Sequence, residues 1–311
     1  MEPRKIFKSG KGSYILTLPK DWVLKNGLKD GDYLYLDYSG EKIIILPKET
    51  GKKTVFLDLN DLSFDRVLRR IVAHYLANYD VVRVKVNTEE QRRALAFASD
   101  LLIGMEVMED TGDEMELMAH LDPSKINLNE MVERISKVAL SMLSDFIKLS
   151  SEKFDRKIAS SIAFREGEVD RLYLLILRLA GDQRFFRSFV RHVERISDHV
   201  ENMTEAMLKL GKCYKEFSAL KEVYEVLKQS LMAFMKIEIE MAEEVLDKIA
   251  DLKKEFAKLQ EELLKYPKEE MIYLKTIFDS TIRILAYSSD IAEATIDRSI
   301  AEAYLQTKRI E

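Results

Sequence analysis

Proline is almost absent from the C-terminal part of this chain. Of the five prolines in the 311 residues, only Pro267 follows Pro123. Because proline removes a backbone hydrogen bond and kinks a helix, a segment so poor in proline favours long helices. Apolar residues at helical spacing predict helices over about 128–150, 152–180, 183–210, 216–235 (merging into a second stretch to 265) and 268–307. Helices of this length pack as a bundle.

The part of the chain before Pro123 predicts two short segments that contain strands. Residues 1–50 alternate between apolar and polar residues and are punctuated by glycine and proline, which predicts the order β-β-α-β-β. Residues 51–122 predict the order β-α-β-α-β-β, which is typical of a small α/β layer. We therefore predict a multi-domain, mainly α chain with a β-rich N-terminal domain over 1–50, an α/β connector over 51–122, and three-helix repeats over 123–212 and 213–311.

The amino-acid composition limits the classes of protein to which this chain can belong. Apolar residues make up 47% of the chain and charged residues 33%, so a sizeable core and a heavily charged surface are expected. The net charge of −5 argues against the whole chain binding a polyanion. The single cysteine, Cys213, excludes an internal disulfide. With no apolar signal segment and no apolar run long enough to span a bilayer, we expect a cytoplasmic protein without membrane insertion.

An acidic stripe runs along the predicted helix over 183–210. The carboxylates recur every three or four residues beside an apolar stripe, at Glu194, Asp198, Glu201 and Glu205. Carboxylates stacked on one helix repel each other unless a positive charge lies over them. The alternative is that these side chains are solvated and flanked by the basic residues Arg191 and Arg195.

A second acid pair, Glu166 and Asp170, lies on one face of the preceding predicted helix. If the two helices are antiparallel neighbours, this pair can face Glu194 and Asp198. Four carboxylates then supply the hard oxygen ligands that Mg²⁺, Mn²⁺ or iron prefer. No Glu-x-x-His accompanies the pairs, and no nucleophile or base is placed beside them. An enzyme of the di-metal type is therefore not expected.

These motifs carry a resemblance to a known family. The segment Glu166-x-x-x-Asp170-Arg-Leu, followed by Glu194-Arg-Ile-Ser-Asp198-His-Val-Glu-Asn202, resembles the PhoU family over roughly 125–311. The resemblance implies tandem three-helix bundles and a non-enzymatic regulator that acts between a phosphate transporter and its sensor kinase. It also implies a metal site formed by Glu166, Asp170, Glu194 and Asp198, for an ion that could be Fe, Mg, Mn, Zn or Ni. The alternative is that these acids are surface charge or a partner-docking face.

A weak internal repeat predicts at most the remnant of a second site. Aligning the two copies places Asp290 at the position of Asp198, but Ala286 stands where an acid matching Glu194 is expected. The helix before the second copy contains Asp251. When the apolar residues of that helix are aligned with those of the first copy, Asp251 does not fall at the position of an acid. We therefore expect no more than a remnant formed by Asp290 and Asp251.

The N-terminal segment carries a second resemblance. Ser9-Gly-Lys-Gly-Ser-Tyr-Ile-Leu-Thr-Leu-Pro19-Lys-Asp-Trp, then Gly27-Leu-Lys-Asp-Gly31-Asp32, resembles the AbrB/SpoVT swapped-hairpin domain over about 3–49. Such domains are dimeric, and most bind DNA. Residues 1–29 contain seven basic residues against two acids, a local excess that suits phosphate contacts. The candidate DNA-binding residues are Arg4, Lys5, Lys8, Lys11 and Lys20. The alternative is a module that only dimerises and has a solvated basic face.

The two resemblances together predict a phosphate-responsive regulator. In this hypothesis the N-terminal dimer reads DNA, and the helical bundle binds metal or a signalling partner. The alternative is an adaptor that does not bind DNA and docks onto a phosphate transporter or a sensor kinase. In both cases we expect a homodimer or a larger assembly.

Overall fold

The structure, a computed structural model, consists of two compact units, Met1–Lys53 and Thr54–Glu311. The residues it describes are 3–10, 12–39, 42–47 and 52–307. The second unit contains both the α/β connector and all of the long helices.

The first unit consists of two hairpins around a short helix, which confirms the predicted order β-β-α-β-β. Its elements are β1 (Ile6–Ser9), β2 (Ser13–Leu16), α1 (Lys20–Lys25), β3 (Tyr35–Ser39) and β4 (Lys42–Leu46). Strands β1 and β2 pair antiparallel, and so do β3 and β4. Helix α1 begins after Pro19, whose φ of −61° suits a helix start, and ends before Gly27, whose φ of +67° suits glycine.

This first unit has no buried core among its described side chains. Phe7 and Ile15 face each other across the β1–β2 hairpin and are still 53% and 52% exposed. Further exposed apolar side chains are Ile6, Tyr14, Leu16, Leu24, Tyr33, Tyr35, Leu36 and Ile43. Apolar surface of this extent in so small a unit is typical of an interaction surface.

The second unit begins with a two-layer α/β fold, as predicted. Its elements are β5 (Thr54–Asp58), α2 (Phe64–Leu76), β6 (Val81–Lys85), α3 (Glu89–Leu101), β7 (Met105–Asp110) and β8 (Glu114–Ala119). The sheet order is β5-β6-β8-β7; β5 and β6 are parallel and the other pairs are antiparallel. Thr88 caps the start of α3, since its Oγ1 accepts a hydrogen bond of 3.2 Å from the Gln91 amide. Both helices pack on the sheet face that carries Val82 and Val84.

In the described part of the chain after the connector, six helices follow at the positions where the apolar periodicity predicts them. They are α4 (Leu128–Ile147), α5 (Arg156–Ala180), α6 (Arg184–Leu210), α7 (Leu220–Lys236), α8 (Ile239–Glu261) and α9 (Lys268–Thr307). A π-helical turn, Lys148–Glu152, extends α4. The two stretches predicted to merge are separated at Ile237, which ends α7 with a left-handed φ of 60°. A β-branched residue in this conformation is unusual and carries no sequence signature.

The apolar stripe of α6 lies at the centre of the bundle. Its buried side chains include Val193, Ile196, Val200, Met203 and Met207, as the spacing predicts. Helix α6 packs along α5 on one side and α9 on another, so the two halves share one core. None of the helices in the described part of the chain combines the length and the apolar character that a membrane span requires.

A buried arginine joins the bundle to the connector. Arg178, near the end of α5, is 2% exposed. Its Nη1 donates hydrogen bonds of 2.5 and 3.2 Å to the carbonyl oxygens of Tyr75 and Tyr79, and its guanidinium lies 4.5 Å from the centre of the Tyr75 ring. Burial lowers the pKa of Arg178. The end of α2 is therefore held directly by α5.

Replacing this arginine should destabilise the second unit. Arg178→Met leaves two carbonyl groups without their donor, which we expect to lower the free energy of unfolding by about 2–4 kcal/mol. The measurement is urea unfolding followed by circular dichroism at the helical band. The control is Arg156→Met, at an exposed position of the same helix, which should change stability by less than about 0.5 kcal/mol. Equal effects of the two substitutions would show that Arg178 does not hold the connector.

Candidate metal centre

The loop between α5 and α6 is short, so these helices form an antiparallel hairpin. Asp170 and Glu194 lie equally far along the chain from that loop, and so do Glu166 and Asp198. Residues equidistant from the loop of such a hairpin reach the same height. The two acid pairs identified from their spacing therefore stand opposite each other.

Three carboxylates converge between the two helices. One carboxylate oxygen from each of Glu166, Asp170 and Asp198 lies within 4.8 Å of the other two. In the described part of the chain this is the one group of three or more Asp, Glu, His or Cys residues with that spacing. We call these three residues the acid cluster. Glu194 borders the cluster without joining it at this distance, but it is close enough for the Asp198 and Asp170 charges to raise its pKa.

Burial raises the pKa of every carboxyl group here, and the charges of neighbouring acids add to the shift at Glu166, Asp170 and Glu194. Burial, followed by the charge of Asp170, raises the pKa of Glu166 to about 7. Burial and the charge of Asp198 raise the pKa of Glu194 to about 7. The pKa values of Asp170 and Asp198 are raised chiefly by burial. The charge of Arg195 lowers the pKa of Asp198 and of Glu194, but it does not offset the effect of burial.

The neighbouring arginines do not neutralise the cluster. Within the described residues, none of the cluster carboxylates forms an ion pair with a basic nitrogen within 4.0 Å. The pKa of Arg195 is raised first by a hydrogen bond with Tyr287, and the charges of Glu194 and Asp198 add to this without a direct ion pair. The acids are thus half-buried rather than fully solvated, and they lack a positive partner. An all-carboxylate set of hard oxygen donors fits Mg²⁺, Mn²⁺ or iron better than it fits Zn²⁺ or Ni²⁺.

The helical hairpin that carries the acid cluster matches a known family model. Residues 132–207 match the family model described as the PhoU domain. The resemblance of the chain to the PhoU family is confirmed. This match spans both of the helices that carry the acid cluster. Residues 7–53 match the family described as "Antidote-toxin recognition MazE, bacterial antitoxin", in agreement with the AbrB-like resemblance. The connector strands and helices lie outside both matches.

A solved structure shows the same fold for the helical part, and a second one is reported beside it. The crystal structure of PhoU from Pseudomonas aeruginosa is 17% identical, with a TM-score of 0.50 over 54% of this chain and 93% of that chain. The phosphate transport system regulatory protein PhoU from Streptococcus pneumoniae is 19% identical, with a TM-score of 0.49 over 54% of this chain and 91% of that chain. None of the curated proteins compared with the chain matches it.

The remnant of a second site does not form a comparable group. Asp290 lies on α9, with one oxygen 3.6 Å from His192 Nδ1 of α6. Asp251 of α8 forms an ion pair of 2.9 Å with Lys254 and is largely exposed. Neither residue belongs to a group of three potential ligands in the described part of the chain.

The sequence of α9 shows why the second copy is incomplete. Ala286 lies one helical turn before Asp290, at the position where α6 carries Glu194. The second predicted repeat therefore lacks the acid pair that Glu194 and Asp198 form on α6.

One acidic residue of the site was not among the predicted ligands. Glu201 lies one turn beyond Asp198 on α6, and its charge is the second largest contribution of a neighbouring acid to the raised pKa of Glu166. Burial and the charge of Glu205 raise the pKa of Glu201 itself. The sequence contains a signal for Glu201, because the acidic stripe of α6 continues beyond the predicted ligand Asp198 to Glu201 and Glu205.

The predicted DNA-binding residues lie in the first unit. Arg4 and Lys5 precede β1, Lys8 lies on β1 opposite Tyr14, and Lys20 begins α1; all four are exposed. Lys11 lies outside the described residues. These positions do not test DNA binding, which stays a prediction.

The raised pKa values predict how stability depends on pH. In metal-free protein the Glu194 carboxyl has a pKa near 7, above its ordinary value of 4.5. Its protonated form therefore stabilises the fold at low pH, and this stabilisation is lost as the pH rises from about 4.5 through 7. Glu194→Gln should thus melt at a higher temperature than the unaltered chain at pH 8 in chelator. The difference should shrink as the pH falls towards 4.5, and a difference independent of pH would contradict the assignment.

Proposed function

We propose that this chain is a PhoU-type regulator of phosphate uptake and phosphate signalling, with a metal-binding helical bundle and a DNA-binding dimeric N-terminal unit. The match to the PhoU domain over the acid-bearing helices supports the regulatory assignment. The match to a MazE-type antitoxin domain supports a separate role for the N-terminal unit. Such a protein regulates through binding and carries out no enzymatic reaction.

The single observation that carries the metal proposal is the convergence of Glu166, Asp170 and Asp198 without a basic partner. These three residues would hold the ion, with Glu194 beside them. A bound cation would offset the repulsion that raises their pKa values. Helices α5 and α6 would then pack without that repulsion. The bound ion would shift the bundle towards the packing of these two helices to which the ion binds more tightly.

Neutralising the ligands should abolish metal binding. We expect purified Asp170→Asn/Asp198→Asn protein to contain no stoichiometric metal, because two charged donors of the cluster are lost. The measurement is elemental analysis after dialysis against Mg²⁺, Mn²⁺ or Fe²⁺. The control is Glu240→Gln/Glu244→Gln, which neutralises two exposed acids four residues apart on α8. Full retention of metal by the cluster variant would refute the site.

The exposed apolar surface of the first unit supports dimerisation. Phe7, Ile15 and Tyr33 are each more than half exposed within one copy of the chain. Pairing two copies through the hairpins would bury this surface, as the swapped-hairpin resemblance implies. Two copies would also double the local positive charge from Arg4, Lys5 and their neighbours, which favours binding to the phosphate backbone of DNA.

The basic residues of this unit should control the salt dependence of DNA binding. Each phosphate contact contributes about 0.9 to the slope of log affinity against log salt. Lys5→Ala/Lys8→Ala should therefore lower the slope by about 1–2 in a fluorescence titration with duplex DNA. The control Lys157→Ala/Lys258→Ala removes two exposed lysines of the bundle and should leave the slope unchanged. If the unaltered chain binds no DNA at low salt, the alternative function applies: an adaptor that docks onto a transporter or sensor kinase.

A further inference from the structure

The sheet of the connector has one covered face and one open face. Helices α2 and α3 pack on the face that carries Val82 and Val84. On the other face Phe56 lies opposite Arg83, and both residues are exposed. The connector also lies outside the residues 7–53 and 132–207 that match known families. Neither family match therefore accounts for what the open face carries.

A β-bulge brings an exposed methionine to the open face. In the pairing of β7 with β8, Val107 lies opposite Leu117 and Glu109 lies opposite Glu116, so Met108 is an extra residue between the two pairs. A bulge of this kind turns a side chain out of the regular alternation of a strand. Met108 is 49% exposed, although methionine is among the residues most often buried. Core packing therefore does not explain this methionine.

The Met108 side chain contacts the histidine that follows β8. His120 Nε2 lies 3.0 Å from Met108 Sδ and 3.9 Å from Glu106 Oε2. A sulfur, a nitrogen and a carboxylate oxygen thus meet at the edge of the sheet, and we call these three residues the thioether site. The side chains of Glu106 and His120 are 70% and 43% exposed. An ion can therefore reach all three donors from solvent.

The backbone holds the ends of both strands in place at this site. The His120 amide donates a hydrogen bond of 2.8 Å to the Gly104 carbonyl oxygen, and the Ala119 amide donates one of 2.7 Å to that of Asp80. Gly104 has a φ of +80°, and a Cβ atom there would lie 2.6 Å from Leu121 Cβ. Glycine is thus required where Leu121 packs beside the start of β7. Only side chains need to adjust to a ligand.

The donor atoms determine the class of ion that this site would take. A thioether sulfur is a soft ligand that favours Cu⁺, and imidazole also binds copper, whereas Mg²⁺, Ca²⁺ and Mn²⁺ prefer oxygen. Metal bonds of about 2.0 Å to histidine nitrogen and about 2.3 Å to sulfur place the two donors roughly 3.5 Å apart. The unbranched, exposed Met108 side chain can make this small outward movement. An exposed ion pair between His120 and Glu106 would stabilise the fold little and would not require the methionine.

The charge of the open face favours a cation. Acids outnumber bases among the described residues that the strand pairing places on this face, with Asp58, Glu106, Glu109, Glu114 and Glu116 against Arg83 and Lys85. Both bases are engaged in ion pairs, with Glu116 and Asp58 respectively. In the described part of the chain, Glu106 and Glu109 have no ion pair with a lysine or arginine. The negative charge beside the thioether site is therefore not compensated.

We propose that the thioether site binds Cu⁺ through Met108 Sδ and His120 Nε2, with the Glu106 carboxylate beside them. A neutral imidazole presents the Nε2 lone pair to the ion and carries its proton on Nδ1. Met118 lies opposite Glu106 and two residues before His120, on the same face, so its thioether is the candidate for a further ligand. The site is distinct from the acid cluster, whose hard oxygens select another class of ion. Neither proposal depends on the other.

The test is anaerobic Cu⁺ titration of full-length Cys213→Ser protein in ascorbate, with a chromophoric Cu⁺ chelator as competitor. This substitution removes the single thiol, which would bind Cu⁺ itself. We expect one Cu⁺ per chain. Met108→Leu keeps an apolar side chain without the sulfur and should weaken binding by at least about tenfold. The matched control Met235→Leu, which changes an exposed methionine of α7, should leave binding unchanged.

Two further measurements separate ion binding from a structural role. His120→Asn should weaken Cu⁺ binding as Met108→Leu does, whereas His74→Asn, which changes the other histidine of the connector, should not. Ag⁺, a redox-stable substitute for Cu⁺, should shift the methyl NMR signal of Met108 and leave that of Met235 in place. Met108→Leu should also keep the melting temperature of the unaltered chain, because the side chain is exposed.

Several outcomes would overturn the inference. A Cu⁺ affinity that Met108→Leu does not change, equal losses in Met108→Leu and Met235→Leu, or no Cu⁺ binding at all would each do so. A preference for Zn²⁺ over Cu⁺ would also contradict it, because His120 and Glu106 would then act without the methionine. Asp170→Asn/Asp198→Asn should leave Cu⁺ binding intact. Absence of metal from the acid cluster, with Cu⁺ binding retained, would refute that part of the proposed function and leave the thioether site standing.

Discussion

The acid cluster exists because apolar packing holds α5 and α6 together against the repulsion of their carboxylates. The buried stripe of α6, which includes Val193, Ile196 and Val200, fixes the face that the helix turns to the core. With that face fixed, the acidic stripe of α6 is directed towards Glu166 and Asp170 of α5. The hydrophobic effect is non-directional and strong, whereas repulsion between half-buried acids is offset by protonation or by a cation. The fold therefore creates a site that favours positive charge.

Helix α5 connects this site to the rest of the second unit. Its middle supplies Glu166 and Asp170, and its end supplies Arg178, whose guanidinium is bonded to carbonyl groups at the end of α2. A rigid helix transmits a small rotation or shift along its whole length. A cation that changes the packing of α5 against α6 is thus placed to change how the connector is held. In the proposed function this is the route by which the state of the bundle reaches a partner.

The sequence predicts the features that depend on local spacing. Helix positions and the pairing of Glu166 and Asp170 with the acids of α6 follow from the helical repeat, and Pro19 and Gly27 bound α1. The junction near 235 was predicted as a merging of two helical stretches. The sharp break at Ile237 was not predicted, because a β-branched residue with positive φ has no sequence signature. The role of Arg178 was missed because it depends on contacts between distant segments.

Proton release on metal binding tests the central claim most directly. The claim is that half-buried acids, which are protonated in part at neutral pH, release their protons to the solvent when a cation binds. With the pKa values of Glu166 and Glu194 at about 7, titration with Mn²⁺ at pH 7 should release roughly one proton per ion. Calorimetry in two buffers of different ionisation enthalpy measures this number. The account predicts release that grows as the pH is lowered from 8 to 6; binding without proton release, or no binding at all, would contradict it.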